Sequence, residues 1–119
     1  MEERTLELTL LYDFFGELLT EKQRAAFDLY YNDDLSLSEI AELTGVSRQG
    51  VRDSVVKAKK ALLDYEARTG VVARFTRLQK ELRGLTQKAA RLESLLPPGE
   101  AKALSQELRD GIEGLKDGI

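Results

Sequence analysis

The sequence predicts an all-α protein. Leu and Ala dominate an apolar fraction of 42%, while aromatic residues make up only 7%, a balance that favours helices over sheets. Apolar residues recur at three- and four-residue spacing through nearly the whole chain, which places them on one face of a helix. Two segments, Thr20 to Gln23 and Ser36 to Glu39, also have the hydroxyl residue followed three positions later by Gln or Glu that marks a helix start.

In chain order, Leu8, Leu11, Phe14, Phe15 and Leu18 give one apolar stripe, predicting a first helix from Thr5 to Leu19. A second helix follows the Thr20 box, continues through Phe27, Tyr30 and Tyr31, and breaks at Asn32, Asp33 and Asp34. The Ser36 box opens a third helix of about two turns, with Ile40, Ala41 and Leu43 on its apolar side. Gly45 ends it, because glycine accepts the positive φ of a helix terminus. Ser47 caps a fourth helix that buries Val51, Val55, Ala58 and Leu62 and stops at Thr69 and Gly70. The aromatic set Tyr12, Phe14, Phe15, Phe27, Tyr30 and Tyr31 reads as core.

Beyond Gly70 the spacing tightens to a heptad row of Phe75, Leu78, Leu82, Leu85, Ala89, Leu92 and Leu96. Pro97, Pro98 and Gly99 then force a reversal, after which Leu104, Leu108, Ile112 and Leu115 suit a helix laid back along the first, weakened by Gly111, Gly114 and Gly118. The expected organisation is a helical domain over 1–70 and a coiled-coil or helical-hairpin tail over 71–119. A single return helix interrupted by glycine covers seven apolar positions poorly. Phe75, Leu78, Leu82, Leu85, Leu92 and Leu96 are therefore the expected dimerisation seam of a homodimer.

Composition also excludes chemistry. With neither cysteine nor histidine in 119 residues, disulfides, thiolate metal sites, zinc hydrolysis and Ser-His catalysis lose their usual parts, so no catalytic residue, metal or cofactor is expected. Glu2 and Glu3 stand where a secretory signal has basic residues, and no apolar run reaches bilayer length, so a cytoplasmic protein without membrane insertion is expected. The net charge of -3 is unevenly spread. Acids crowd the first third, whereas Arg48, Arg52, Lys57, Lys59 and Lys60 fall close together in the middle.

The segment SLSEIAELTGVSRQGVRDSV, residues 36–55, fits a helix-turn-helix. Ala41 permits close approach, Gly45 makes the turn, and Ile40, Val46 and Val51 bury the corner, so that the second helix projects as a rigid rod. In such a motif the N-terminal turn of the second helix meets base edges. Ser47, Arg48, Gln49 and Arg52 occupy it. The arginines suit guanine acceptors or phosphates, Gln49 suits adenine, and the Ser47 hydroxyl at a helix N-terminus suits phosphate in addition to its capping role. Asp53 beside them repels phosphate. Lys57, Lys59 and Lys60 read either as an extension of this surface or as an ordinary solvated face.

The stretch LTEKQRAAFDLYYNDDLSLSEIAELTGVSRQGV is similar to sigma-factor region 4 in its order of capped helix, acidic break and helix-turn-helix. More narrowly, LLYDFFGELLTEKQ, the Tyr30 and Tyr31 pair, DLSLSEIAE, VSRQGVRD and LLDYE resemble the YlxM family of small bacterial helix-turn-helix proteins, from about Thr5 to about Phe75. That family is encoded beside genes for the signal recognition particle GTPase and has no established catalytic residues. The resemblance implies a regulatory protein of that pathway, with DNA as ligand, RNA as the alternative, and the particle's GTPase or RNA as further partners. Two positions depart from the family pattern: Gly50 stands where Ala is usual, and Arg52 where Tyr is usual. A protein-interaction adaptor is the competing expectation, with the acidic first third docking a basic partner such as that GTPase.

Overall fold

A computed structural model of the chain describes residues 2–118. It contains six α-helices: α1 (Glu2–Phe15), α2 (Glu21–Phe27), α3 (Leu37–Thr44), α4 (Arg48–Thr69), α5 (Val71–Leu95) and α6 (Glu100–Asp117), with no strand among the described residues. Backbone contacts divide it into two units, one ending at Val72 and the other beginning at Ala73. None of these helices is long and apolar enough to cross a membrane.

In the first unit the helix starts are built as the sequence predicts. Thr20 Oγ1 accepts from the Gln23 amide at 3.1 Å while the Gln23 side chain accepts from the Thr20 amide at 3.2 Å. Ser36 and Glu39 repeat this at 3.1 and 3.0 Å. Gly45 and Gly70 close α3 and α4 in the left-handed region, at φ 74° and 62°. The acidic break has a more specific form. Asp28–Asn32 widens into one π-type turn, in which the Asp33 amide donates to the Asp28 carbonyl at 3.1 Å, and Asp34 then takes φ 55°. Asp tolerates that conformation better than most side chains do.

Two clusters hold this unit together. Leu8, Leu11, Phe15 and Leu19 pack with Phe27, Ala58, Leu62 and Val72, while Ala26, Ile40, Val51 and Val55 form a second group under the helix-turn-helix. Phe27 is the aromatic centre: Tyr12 stacks on it at 4.8 Å between ring centroids, and Tyr31 leans on its ring at 4.7 Å. Burial, reinforced by the Asp28 carboxylate, raises the Tyr12 phenol above its ordinary value, so it stays neutral.

The expected stripes are corrected at four places. Phe14, Leu18, Tyr30 and Leu43 are exposed, Leu18 and Leu43 at 62% and 67%. The first helix ends at Phe15, a 3₁₀ turn follows over Gly16–Leu18, and the chain leaves it with Leu18 exposed and Leu19, in an extended conformation, buried instead. On α3 only Ile40 is fully covered; Ala41 and Val46 are half-buried at the edge of the second cluster.

The second unit is a helical hairpin turning at Pro97–Gly99. Glu93 on α5 accepts from Gln106 at 2.9 Å and also pairs with Arg109, both on α6. Leu82, Ala89 and Ser105 are its buried residues. The hairpin divides the expected seams. Leu82 is internal to the hairpin, Phe75 and Leu96 are half-buried, and Leu78, Leu85 and Leu92 are exposed; on α6, Leu104, Leu108 and Leu115 point to solvent while Ser105 is covered. The Ser105 hydroxyl is satisfied by donating to the Lys102 carbonyl at 2.7 Å.

Candidate nucleic-acid interface

The second helix of the motif starts cleanly at Ser47, which takes an extended conformation and accepts from the Gly50 amide at 3.0 Å. Its hydroxyl hydrogen remains to donate to a phosphate oxygen. Beneath this turn Ile40 and Val51 are 0% and 3% exposed, and they anchor the start of α4 on the second cluster. Thr44 adds to the corner by returning its hydroxyl to the Ile40 carbonyl at 2.7 Å.

Arg48, Gln49 and Arg52 are all exposed. At about 100° of rotation per residue, Arg48, Arg52 and Lys59 share one row along α4, and Gln49, Asp53 and Lys60 form the adjacent row. Lys57 lies on the opposite side of the helix from Arg48, about 60° beyond Lys60, so Arg48, Arg52 and Lys59 share one flank of the exposed face, Gln49 and Lys60 its middle, and Lys57 the other flank. Within the second row, Gln49 Nε2 donates to Asp53 Oδ1 at 3.1 Å. Any contact of the Gln49 amide with a base exchanges that bond.

A feature not anticipated from the sequence adjoins the first row. Tyr30 and Tyr31 line, with Leu37, Arg52, Val55, Val56 and Lys59, a hollow of about 320 Å³. The tyrosine pair thus divides its roles: Tyr31 packs on Phe27, whereas Tyr30 meets Tyr31 edge-on at 5.0 Å and reaches the rim beside two cations. The signal available in the sequence was the doubling itself, since adjacent helical residues cannot both face one core.

The electrostatics of the three capped helices differ in a telling way. The first turns of α2 and α3 carry Glu21 and Glu39, as the positive end of the helix dipole favours. In α3 the Ser36 amide and hydroxyl hold the Glu39 carboxyl below its ordinary value. The first turn of α4 has no acid and begins with Arg48 instead. A cation there is unfavourable for the helix but concentrates positive potential at an exposed N-terminus, the kind of position that favours an anion.

Comparison with known proteins bears on the whole arrangement. Residues 2–96 match the model of the UPF0122 family, described as "Putative helix-turn-helix protein, YlxM / p13 like", and so extend past the motif through α5. A UPF0122 protein of Caldanaerobacter subterraneus subsp. tengcongensis is 46% identical over 82 residues, covering 69% of this chain and 70% of that protein. One from Clostridium kluyveri is 46% identical over 85 residues, covering 71% and 76%. A third, from Clostridium novyi, is 41% identical over 112 residues, covering 94% of this chain and 96% of its own, so the likeness there includes the hairpin. With its helix-turn-helix, its second-unit hairpin and these relatives, the chain belongs to the UPF0122 family of YlxM/p13-like proteins.

Proposed function

We propose that this chain is a non-enzymatic regulatory protein that binds nucleic acid through the N-terminal turn of α4, with DNA as the first ligand to test and RNA as the second. The observation that carries the reading is the inverted charge at that turn: α2 and α3 begin with acids, while α4 begins with Arg48 and follows it with Gln49 and Arg52 in the open. Local sequence choices that oppose helix stability at an exposed position fit a ligand-binding role. The kinship with YlxM-like proteins extends the proposal to the signal recognition particle pathway, with the particle's GTPase or RNA as partners; the uncovered leucines of the tail extend it to a homodimer.

Fluorescence anisotropy of labelled duplex DNA and of RNA, titrated with the full chain between low and moderate salt, tests it. A net charge of -3 predicts weak binding that falls steeply with salt. Replacing Arg48 and Arg52 with Ala should lower affinity at least tenfold and flatten the log-log salt slope by about 1 to 2, since each lost phosphate contact is worth roughly 0.9. Binding indifferent to salt, or unchanged in the double variant, refutes it.

The adaptor reading has one observation in its favour: Asp53 stands in the row next to the arginines and already occupies Gln49. Pull-downs from nuclease-treated and untreated extract separate the two. Partners lost with nuclease support the first reading, and partners retained support the adaptor.

A further inference from the structure

The hairpin leaves a row of leucines uncovered on each helix. On α5, Leu78, Leu85 and Leu92 are 43%, 48% and 46% exposed; on α6, Leu104, Leu108 and Leu115 are 54%, 59% and 64% exposed. Leu85 and Leu92 each follow a buried residue, Leu82 and Ala89, by three positions. Leu108 likewise follows Ser105 by three, and Leu115 follows half-buried Ile112 by three. Both rows are therefore turned from the inner face by the same angle in the same sense. In two antiparallel helices, equal rotations measured along each chain lead to the same side of the pair. The six leucines consequently form one face.

We propose that this face is the docking surface for a second copy of the chain. Two hairpins close on it into a four-helix bundle with their Pro97–Gly99 turns at the same end and α5 of each copy lying over α6 of the other. The proposal deepens the homodimer in the functional reading and does not depend on the nucleic-acid site. The exposed leucine surface is on the order of 500 Å² per copy, at the upper end for a patch on a monomer. By itself it supplies more than half of the roughly 800 Å² per partner of a stable interface.

Charge selects the arrangement. α5 carries Arg74, Arg77, Lys80, Arg83, Lys88 and Arg91, and one of its two acids, Glu93, is held by Arg109. The three cations of α6, Lys102, Arg109 and Lys116, recur every seven residues and are half-buried, whereas its acids, Glu100 and Glu107 among them, are exposed. Stacking α5 on α5 opposes like charges; stacking α5 on the partner's α6 opposes unlike ones. Register agrees. Counted from the turn, Leu92 and Leu104 lie at the same level, and Leu85 falls between Leu108 and Leu115, so the rows interlock. This packing also brings the two Val72–Ala73 junctions to one end of the bundle.

The test uses the full chain, whose lack of cysteine makes single thiols clean probes. Sedimentation should give twice the 13.4 kDa chain mass, and Leu85→Glu with Leu108→Glu should return the monomer with unchanged far-UV circular dichroism. Both positions are exposed, so the hairpin's inner row is untouched. Under mild oxidation Pro98→Cys should cross-link to itself. With the turns at opposite ends the two thiols lie about 30 Å or more apart, and only a mixture of Pro98→Cys with Arg77→Cys cross-links. A monomeric intact chain overturns this proposal together with the dimer reading. A dimer that survives the two leucine substitutions, or that cross-links only in the mixture, overturns this arrangement alone, while the Arg48 and Arg52 titration still decides nucleic-acid binding.

Discussion

Gly50 sits in the first turn of the reading helix, and replacing it with Ala sets two effects of known size against each other. Helix propensity alone predicts a gain of about 1 kcal/mol, because glycine in a helix is that much less favourable than alanine. A Cβ at this position, however, would lie 2.8 Å from Val46 Cγ1 and 3.1 Å from Ser47 Oγ. Val46 is not free to swing away: it is β-branched, half-buried and packed against the cluster of Ile40, Val51 and Val55. Forcing a methyl group into such contact typically costs about 1 to 3 kcal/mol. The clash therefore wins, and Gly50→Ala should destabilise the chain by about 1 kcal/mol, a fall in Tm of roughly 4 to 8 °C for a unit of this size. Thermal unfolding followed by far-UV circular dichroism measures it. Removing the obstacle should reverse the sign: in a Val46→Ala background the same Gly50→Ala change should raise Tm. A single variant more stable than the parent, or additive effects in the double variant, would refute the argument by showing that Val46 yields without cost.

Two further outcomes follow from the first unit. Ile40→Ala should cost about 2 to 5 kcal/mol in urea unfolding, because it empties a fully buried site, while Leu43→Ala, on the exposed side of the same helix, should stay within about 0.5 kcal/mol; comparable losses would mean that the corner is not packed as described. Glu39 supplies a pH dependence. Its folded carboxyl is held below the ordinary value by the Ser36 amide and hydroxyl, so its contribution is present above the unfolded pKa and is lost as pH falls through the folded one. Glu39→Gln keeps the geometry and removes the titration, so its deficit in Tm relative to the parent should shrink as pH drops through the carboxylate range, and a constant gap would refute the assignment.

What could be read from the residues was whatever is decided within a few positions of the chain. Both capping boxes, the Gly45 and Gly70 terminators, the Ser47 cap and the buried row of Val51, Val55, Ala58 and Leu62 involve partners no more than a turn apart or a strict helical period, so residue identity suffices to place them. The family resemblance was legible for the same reason, since its motifs lie on those local signals. The choice among apolar faces was not. Leu19 replaces Leu18 in the core where the helix gives way to extended chain, and Tyr30 and Tyr31 part company because only one of two neighbours can reach Phe27. On α6 the sequence offers Leu104, Leu108 and Leu115 as the obvious seam, yet Ser105 is the residue that is covered, on the side of α6 where Gln106 and Arg109 reach Glu93 of the neighbouring helix. Periodicity says that a helix has an apolar face; which face is covered depends on a partner far away in the chain, and only the tertiary structure brings that partner to it.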